Sequence, residues 1–204
     1  MGATKKQAER TRENVLRAGL KVFSEKGFAA TRLEDIAKEA GVTRGAIYWH
    51  FKDKLELFCE LFLTSSQVLF SGIYAILQSD LPPDEKIRKL FIQIPSNLLE
   101  DQDYRAIGVL YYSIEWTEDA IKALKASFKK IHTAEDKPLI QVIETGKLEG
   151  VFRHDIATTI MAKTCKIFFL GMMNAVVDQH YPLQKEDIPA VVACFLESMK
   201  RKND

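Results

Sequence analysis

The chain predicts an all-α protein: an N-terminal three-helix unit built on a helix-turn-helix, followed by a larger helical bundle. Three observations carry that expectation. Apolar residues recur at helical spacing in almost every segment, while strand-like alternation and internal repeats are not apparent. Residues 31–54, TRLEDIAKEAGVTRGAIYWHFKDK, read as two short helices around a tight turn with a third helix start behind them. Proline and glycine then punctuate the remainder at intervals that suit long helices.

Val15, Leu16, Gly19, Leu20 and Phe23 mark the buried stripe of a first helix, from about Gln7 to Lys26, that Gly27 ends. Thr31 and Glu34 have capping-box spacing, and Leu33, Ile36, Ala37 and Ala40 share the face that follows. Gly41 stands where that helix must stop and a left-handed residue costs least. Val42 then packs as a staple and the Thr43 hydroxyl caps the next helix. That helix sends Ala46 and Ile47 inward and Arg44, Gly45, Tyr48 and Trp49 outward. The expected core of the small unit is Phe23, Leu33, Ile36, Ala37, Ile47 and Phe51.

Asp53 and Glu56 repeat the capping logic at a fourth helix, about Lys54 to Ser79. At about 1.5 Å per residue it is long enough to leave one domain and enter the next, so the expected division is 1–53 and 54–204. Leu81-Pro82-Pro83 breaks the chain, with Pro83 in the first turn of a fifth helix. Tyr104 to Thr117 is apolar on most sides, as a buried bundle helix is. Glu118 to about Glu149 reads as helix bent near Pro138 and weakened at its end by Gly146 and Gly150. Asp155 opens a helix dense in large apolar residues through Val177. The last helix, about Asp187 to Arg201, carries Ile188, Val191, Val192, Phe195, Leu196 and Met199 as one stripe, and Ala190, Ala193 and Cys194 as a second, small-residue surface.

Net charge is only +1, yet its distribution is uneven. Residues 1–55 hold 12 Lys+Arg against 7 Asp+Glu, and the remainder 17 against 21. A basic head on an acidic body suits a small nucleic-acid-binding unit attached to a domain with another task. Cationic side chains gain by releasing counterions from phosphate, whereas base edges must be read by groups entering the major groove. Arg44, in the first turn of the second short helix, is the candidate guanine contact. Gly45 allows close backbone approach, and Thr43 suits a thymine methyl or a phosphate. Tyr48 shares the face of Arg44 one turn on and suits donation to a phosphate, Trp49 and His50 would flank the DNA backbone, and Thr31 is grouped with them. Lys54 stands at a helix N-terminus, where charge and dipole both favour an anion. Lys5, Lys6 and Arg10 suit a basic arm or plain solvated surface.

The run GVTRGAIYWHFKDK resembles the DNA-binding domain of the TetR family of bacterial repressors, and is similar above all to the branch controlling multidrug-efflux genes. The specific part covers the first quarter of the chain. The resemblance implies that Tyr48, His50 and Lys54 hold phosphates. It also implies a repressor that a small-molecule ligand, bound in the helical C-terminal domain, releases from a palindromic double-stranded operator.

One small reading domain makes few contacts, so a homodimer reading two half-sites is expected. Ile160, Thr164, Ile167, Phe168, Gly171, Met172 and Ala175, with Val191, Phe195 and Met199 of the last helix, are the expected interface. Phe70, Tyr74, Phe91, Tyr111, Tyr112, Trp116 and Phe128 are candidates to line a pocket for a hydrophobic or cationic effector, and Glu115 to answer a positive charge. A constitutive or architectural DNA-binding protein without an effector is the alternative.

Catalysis is not expected. His132, His154 and His180 lack the spacing of helical metal sites, and no nucleophile elbow, phosphate loop or dinucleotide fingerprint occurs, so neither metal nor cofactor is expected. Cys59, Cys165 and Cys194 are widely spaced and read as reduced, packed thiols. The polar start MGATKKQ lacks a signal-peptide core, and the apolar run Ile167–Val177 is far below the roughly 20 residues a bilayer requires. These features predict a cytoplasmic protein with no membrane partner.

Overall fold

The computed structural model describes residues 2–112, 122, 124, 137–177 and 182–200. Its helices are α1 (Gly2–Ala30), α2 (Leu33–Ala40), α3 (Arg44–His50), α4 (Lys54–Leu77), α5 (Pro83–Glu100), α6 (Gln102–Tyr112), α7 (137–148), α8 (Thr158–Val177) and α9 (Ile188–Met199). Among the described residues no strand forms; Phe152 and Lys200 make an isolated antiparallel bridge. The expected helix across Glu118 to Glu149 lies largely outside the described residues, as do Trp116 and Thr117.

Contacts divide the chain into two compact units, one of Met1–Gln67 with Ala106–Lys125, the other of Val68–Arg105 with Ala126–Asp204. The expected boundary after residue 53 therefore falls inside the first unit, and α4 runs from one unit into the other.

In the first unit α1 packs on α2 and α3. Phe23, Leu33, Ile36, Ala37, Ile47 and Phe51 are all buried, as the helical spacing predicts. Phe58 of α4 meets Phe23 edge-on at 5.2 Å and Phe28 at 4.9 Å. Gly19 lets Leu57 close in, its Cδ2 standing 3.3 Å from where a Cβ would be.

α1 is broken by Gly27, whose φ of 75° interrupts the helical path before a last turn reaches Ala30. That break has a consequence for Thr31. Its hydroxyl donates to the Gly27 carbonyl at 2.7 Å, and the side chain is 1 % exposed. The N-cap of α2 is consequently Arg32 and not Thr31, and the reciprocal bond is Arg32 N–H to Asp35 Oδ2 at 3.1 Å.

In the second unit α5 packs on α8 and α9. Phe91 is surrounded by Phe168, Phe169 and Phe195 at 5.4–5.6 Å, and Phe168 stacks on Phe195 at 4.0 Å. Two assignments change here. Met172, Phe195 and Met199, expected at a dimer surface, are buried within the chain's own core, with Phe168 packed against Phe195. Asp155 does not open α8, which begins at Thr158; its carboxylate instead takes the Arg153 guanidinium at 2.7 Å.

Gly146 is buried inside α7, where the Phe152 ring occupies the space its side chain would fill. Cys165 is buried beside Met199, Sγ to Sδ 3.7 Å, and burial pushes its thiol up to about 12. Cys194 is exposed, contrary to the packed role expected of it. α4 and α8 are long and apolar enough to cross a membrane by length and composition, beyond what the run Ile167–Val177 suggests. Core helices of globular proteins meet the same test, and Leu57, Phe58, Leu61, Phe62 and Leu69 of α4 are buried in packed protein.

Candidate nucleic-acid interface

The turn between α2 and α3 is fixed by backbone chemistry. Gly41 adopts the left-handed conformation (φ 66°), Val42 N–H donates to the Ala37 carbonyl at 3.0 Å and Gly41 N–H to Lys38 at 3.3 Å. This pairing satisfies carbonyls that the end of α2 would otherwise leave open. Thr43 then caps α3, its Oγ1 accepting from Ala46 N–H at 3.2 Å. Ile47 is fully buried and locks the helix to α1 and α2, so the opposite face is turned to solvent.

That face presents Arg44, Gly45, Tyr48 and Trp49. Trp49 is 70 % exposed and Tyr48 44 %, an unusual outlay of aromatic surface for a side with no function. Nothing lies within van der Waals reach of a side chain at Gly45 except Thr43 Oγ1 at 3.8 Å. Arg44 is tied to its own chain: Nη2 donates to the Tyr48 hydroxyl at 2.9 Å, and Nη1 forms an ion pair with Glu34. Tyr48 first, then Glu34, hold the guanidinium more firmly charged than usual.

His50 is half-buried at the end of α3, edge-on to Trp49 at 4.7 Å. Burial, and then the Arg12 charge, push its pKa below 6.5. A phosphate at His50 would favour the imidazolium and raise that pKa in the complex. The histidine's contribution to affinity is then fully present below the free pKa and lost as pH rises through the bound one. DNA affinity is expected to strengthen as pH falls within about pH 5–8, and His50→Gln to flatten that slope. Anisotropy titrations across the interval check this; an unchanged slope in the variant removes His50 from the phosphate contacts.

Two residues expected to touch DNA are placed otherwise. Thr31 is buried and its hydroxyl is spent on Gly27, so it serves the α1–α2 turn. Lys54 does stand at the start of α4, but its ammonium donates to the carbonyls of Phe28 at 2.7 Å, Thr31 at 2.8 Å and Ala29 at 3.4 Å, over the Phe28 ring at 4.5 Å. Burial lowers its pKa. With its donors committed, Lys54 offers an approaching backbone charge and not a new hydrogen bond. Sequence reasoning missed this because the partners lie 23–26 residues back along the chain.

The expected effector residues divide between the units. Phe91 is core of the second unit, where Phe70 and Tyr74 of α4 are half-buried. Tyr111 belongs to the first unit and stacks on Phe62 at 5.3 Å. Tyr112 ends α6, and Glu115, Trp116 and Phe128 lie outside the described residues. Ser65 was passed over in the sequence. It is buried on α4 with no hydrogen bond among the described residues, whereas its neighbour Ser66 donates to the Phe62 carbonyl at 2.6 Å.

Residues 15–61 match the family model described as "Bacterial regulatory proteins, tetR family". The chain is 36 % identical over 116 residues to the transcriptional regulator AcrR of Shigella flexneri, a match spanning 55 % of this chain and about half (54 %) of that protein. It is 32 % identical over 164 residues to the regulator TtgR of Pseudomonas putida, spanning 78 % of each. Its fold is similar to the crystal structure of NalD, the secondary repressor of the MexAB-OprM multidrug efflux pump in Pseudomonas aeruginosa, with a TM-score of 0.78 at 25 % identity over 97 % of this chain and all of that one. With this likeness running from the capped α3 through the helical body, the chain belongs to the TetR family of helix-turn-helix transcriptional regulators.

Proposed function

We propose that two copies of the chain read the two halves of a palindromic operator through α3, and that a small molecule bound in the helical body releases them. The observation that carries this reading is α3 itself: capped by Thr43, anchored by Ile47, and exposed to solvent along Arg44, Gly45, Tyr48 and Trp49. Arg44 reads a base, with Thr43, Gly45, Tyr48, Trp49 and His50 along the phosphates beside it. Lys54 adds charge behind them. NalD, the efflux-pump repressor, supports transport genes as the regulated set, and a protein that must reach its operator works in the cytoplasm.

Pairing brings the two heads into successive major grooves, about 34 Å apart. Support for a pairing surface comes from α8, where Ile160, Thr164, Ile167 and Gly171 form an exposed stripe, and from α9, where Ala190, Ala193 and Cys194 are exposed and small. Close approach of such helices builds a four-helix contact across a two-fold axis.

The effector is hydrophobic or cationic, met by an aromatic ring such as that of Tyr111, with Ser65 of the same unit offering a buried hydroxyl. A buried hydroxyl with no partner among the described residues costs roughly 1–3 kcal/mol, which a ligand's polar group offsets. α4 carries the signal, since it is continuous from the reading head into the body. An effector that favours the non-reading arrangement by about 1.4 kcal/mol weakens operator binding tenfold, and DNA weakens the effector equally.

Arg44→Ala tests the reading. It is expected to cost about 1–3 kcal/mol per half-site and to relax base preference at one position in each. Titration against operator duplexes with single-pair changes checks it; an unaltered preference at every position contradicts the assignment of Arg44.

A further inference from the structure

Arg44 is clamped from two sides in the free protein. Glu34, in the first turn of α2, pairs with Nη1, and the Tyr48 hydroxyl accepts from Nη2 at 2.9 Å while the Tyr48 ring lies 5.2 Å from the guanidinium carbon. The Glu34 and Arg44 side chains are each more than half exposed, so the pair sits on the open face and not in the core.

A carboxylate there runs against the electrostatics of the surface. It repels phosphate and cancels charge that Arg44 would bring to a backbone contact. Other acids of the head tie the head together: Glu39 to Lys21, Asp35 to Lys26, and Glu60 to Arg12. Glu34 instead joins α2 to the side chain expected to read a base.

We propose that Glu34 is a positioning residue for base recognition, holding the Arg44 guanidinium together with Tyr48 in one orientation at the expense of general phosphate attraction. This rests on the reading of α3 as the DNA-reading helix and adds a residue outside it. The donor arithmetic fits. Guanidinium has five N–H donors, of which the two partners take two, leaving enough for the bidentate contact a guanine edge accepts. Fixing a long side chain beforehand removes ordering cost at the moment of binding. Neutralising its charge lowers affinity for sequences that offer phosphate but no matching base. Glu34 thus trades overall affinity for discrimination.

The experiment uses the full chain and duplexes enriched from a random library by the wild-type protein. Fluorescence anisotropy is measured on an enriched duplex, its single-pair variants and a scrambled duplex, over a salt series. Glu34→Gln is expected to tighten binding to the scrambled duplex and steepen its salt dependence by about one unit per copy. Discrimination at one position per half-site is expected to fall about tenfold. In an Arg44→Ala background Glu34→Gln is expected to change no base preference. An equal gain on enriched and scrambled duplexes, or a loss of discrimination that persists without Arg44, overturns the proposal and leaves Glu34 a surface charge. A wild-type protein that enriches no sequence at all overturns the reading of α3 itself, and this proposal with it.

Discussion

Replacing Ile167 with glutamate is expected to yield a monomer that no longer holds a two-half-site operator. Ile167 is 71 % exposed in the middle of the α8 stripe, so the isolated subunit loses nothing by the change. In a pair, the same substitution places two carboxylates in an apolar contact, where each must be desolvated without a partner. Linking two half-site contacts through one dimer is worth about 10²–10⁴ in avidity, and that factor is what the variant forfeits. Sedimentation equilibrium is expected to show the wild type as a dimer and the variant at half that mass. Thermal unfolding offers a second reading: the wild-type midpoint rises with protein concentration and the variant's does not. A persistent dimer moves the interface off α8. Phe168, also among the residues expected at the interface, is unsuitable, because its stacking on Phe195 makes any substitution there a test of the core.

The second large effect is at Gly146. A glycine inside a helix normally gains about 0.5–1 kcal/mol on conversion to alanine. Here the expected sign is reversed. An added Cβ would stand 2.2 and 2.4 Å from the Phe152 ring and 3.0 Å from Pro83 Cβ. Phe152 is fully buried, and its backbone is held by the bridge to Lys200 and by its N–H to the Gly146 carbonyl at 3.0 Å, so the ring has little room to retreat. Overpacking of this kind costs about 1–3 kcal/mol. Urea denaturation is expected to show a lower midpoint at an unchanged slope for Gly146→Ala, partly recovered when Phe152→Leu vacates the space. A raised midpoint would mean that the close approach of α7 and Phe152 is not maintained.

What the sequence made legible was local. The left-handed Gly41, the Thr43 cap, the inward Ile47 and the Asp53 carboxylate that accepts Glu56 N–H at 2.8 Å each depend on residues within one turn, where spacing states the geometry directly. Errors arose wherever the deciding partner was distant. Thr31 looked like a cap until the break at Gly27 brought a carbonyl to its hydroxyl. Lys54 does begin α4, but nothing in the sequence signals that the end of α1 supplies three acceptors to its ammonium. Met172 and Phe195 share an apolar helix surface with truly exposed neighbours, and periodicity alone does not say which apolar face meets the chain's own core. Gly146 carried no sequence signal beyond helix weakening, because the ring that requires it comes from six residues on, after the helix has ended.

The effector side was least legible for the same reason. Aromatic residues at helical spacing serve core and pocket equally well, and Phe91 proves to be core. Ser65 was invisible because a single serine in an apolar helix usually bonds back to the preceding turn, as Ser66 does.

On the proposed function, α3 used in duplicate reads DNA. Footprinting all 204 residues of the chain on duplexes enriched from a random library puts that to the test. One palindromic sequence is expected, protected in two patches whose centres lie about 34 Å or a multiple of that apart. Enrichment of no sequence, or of a single unpaired half-site bound with full affinity, would contradict it.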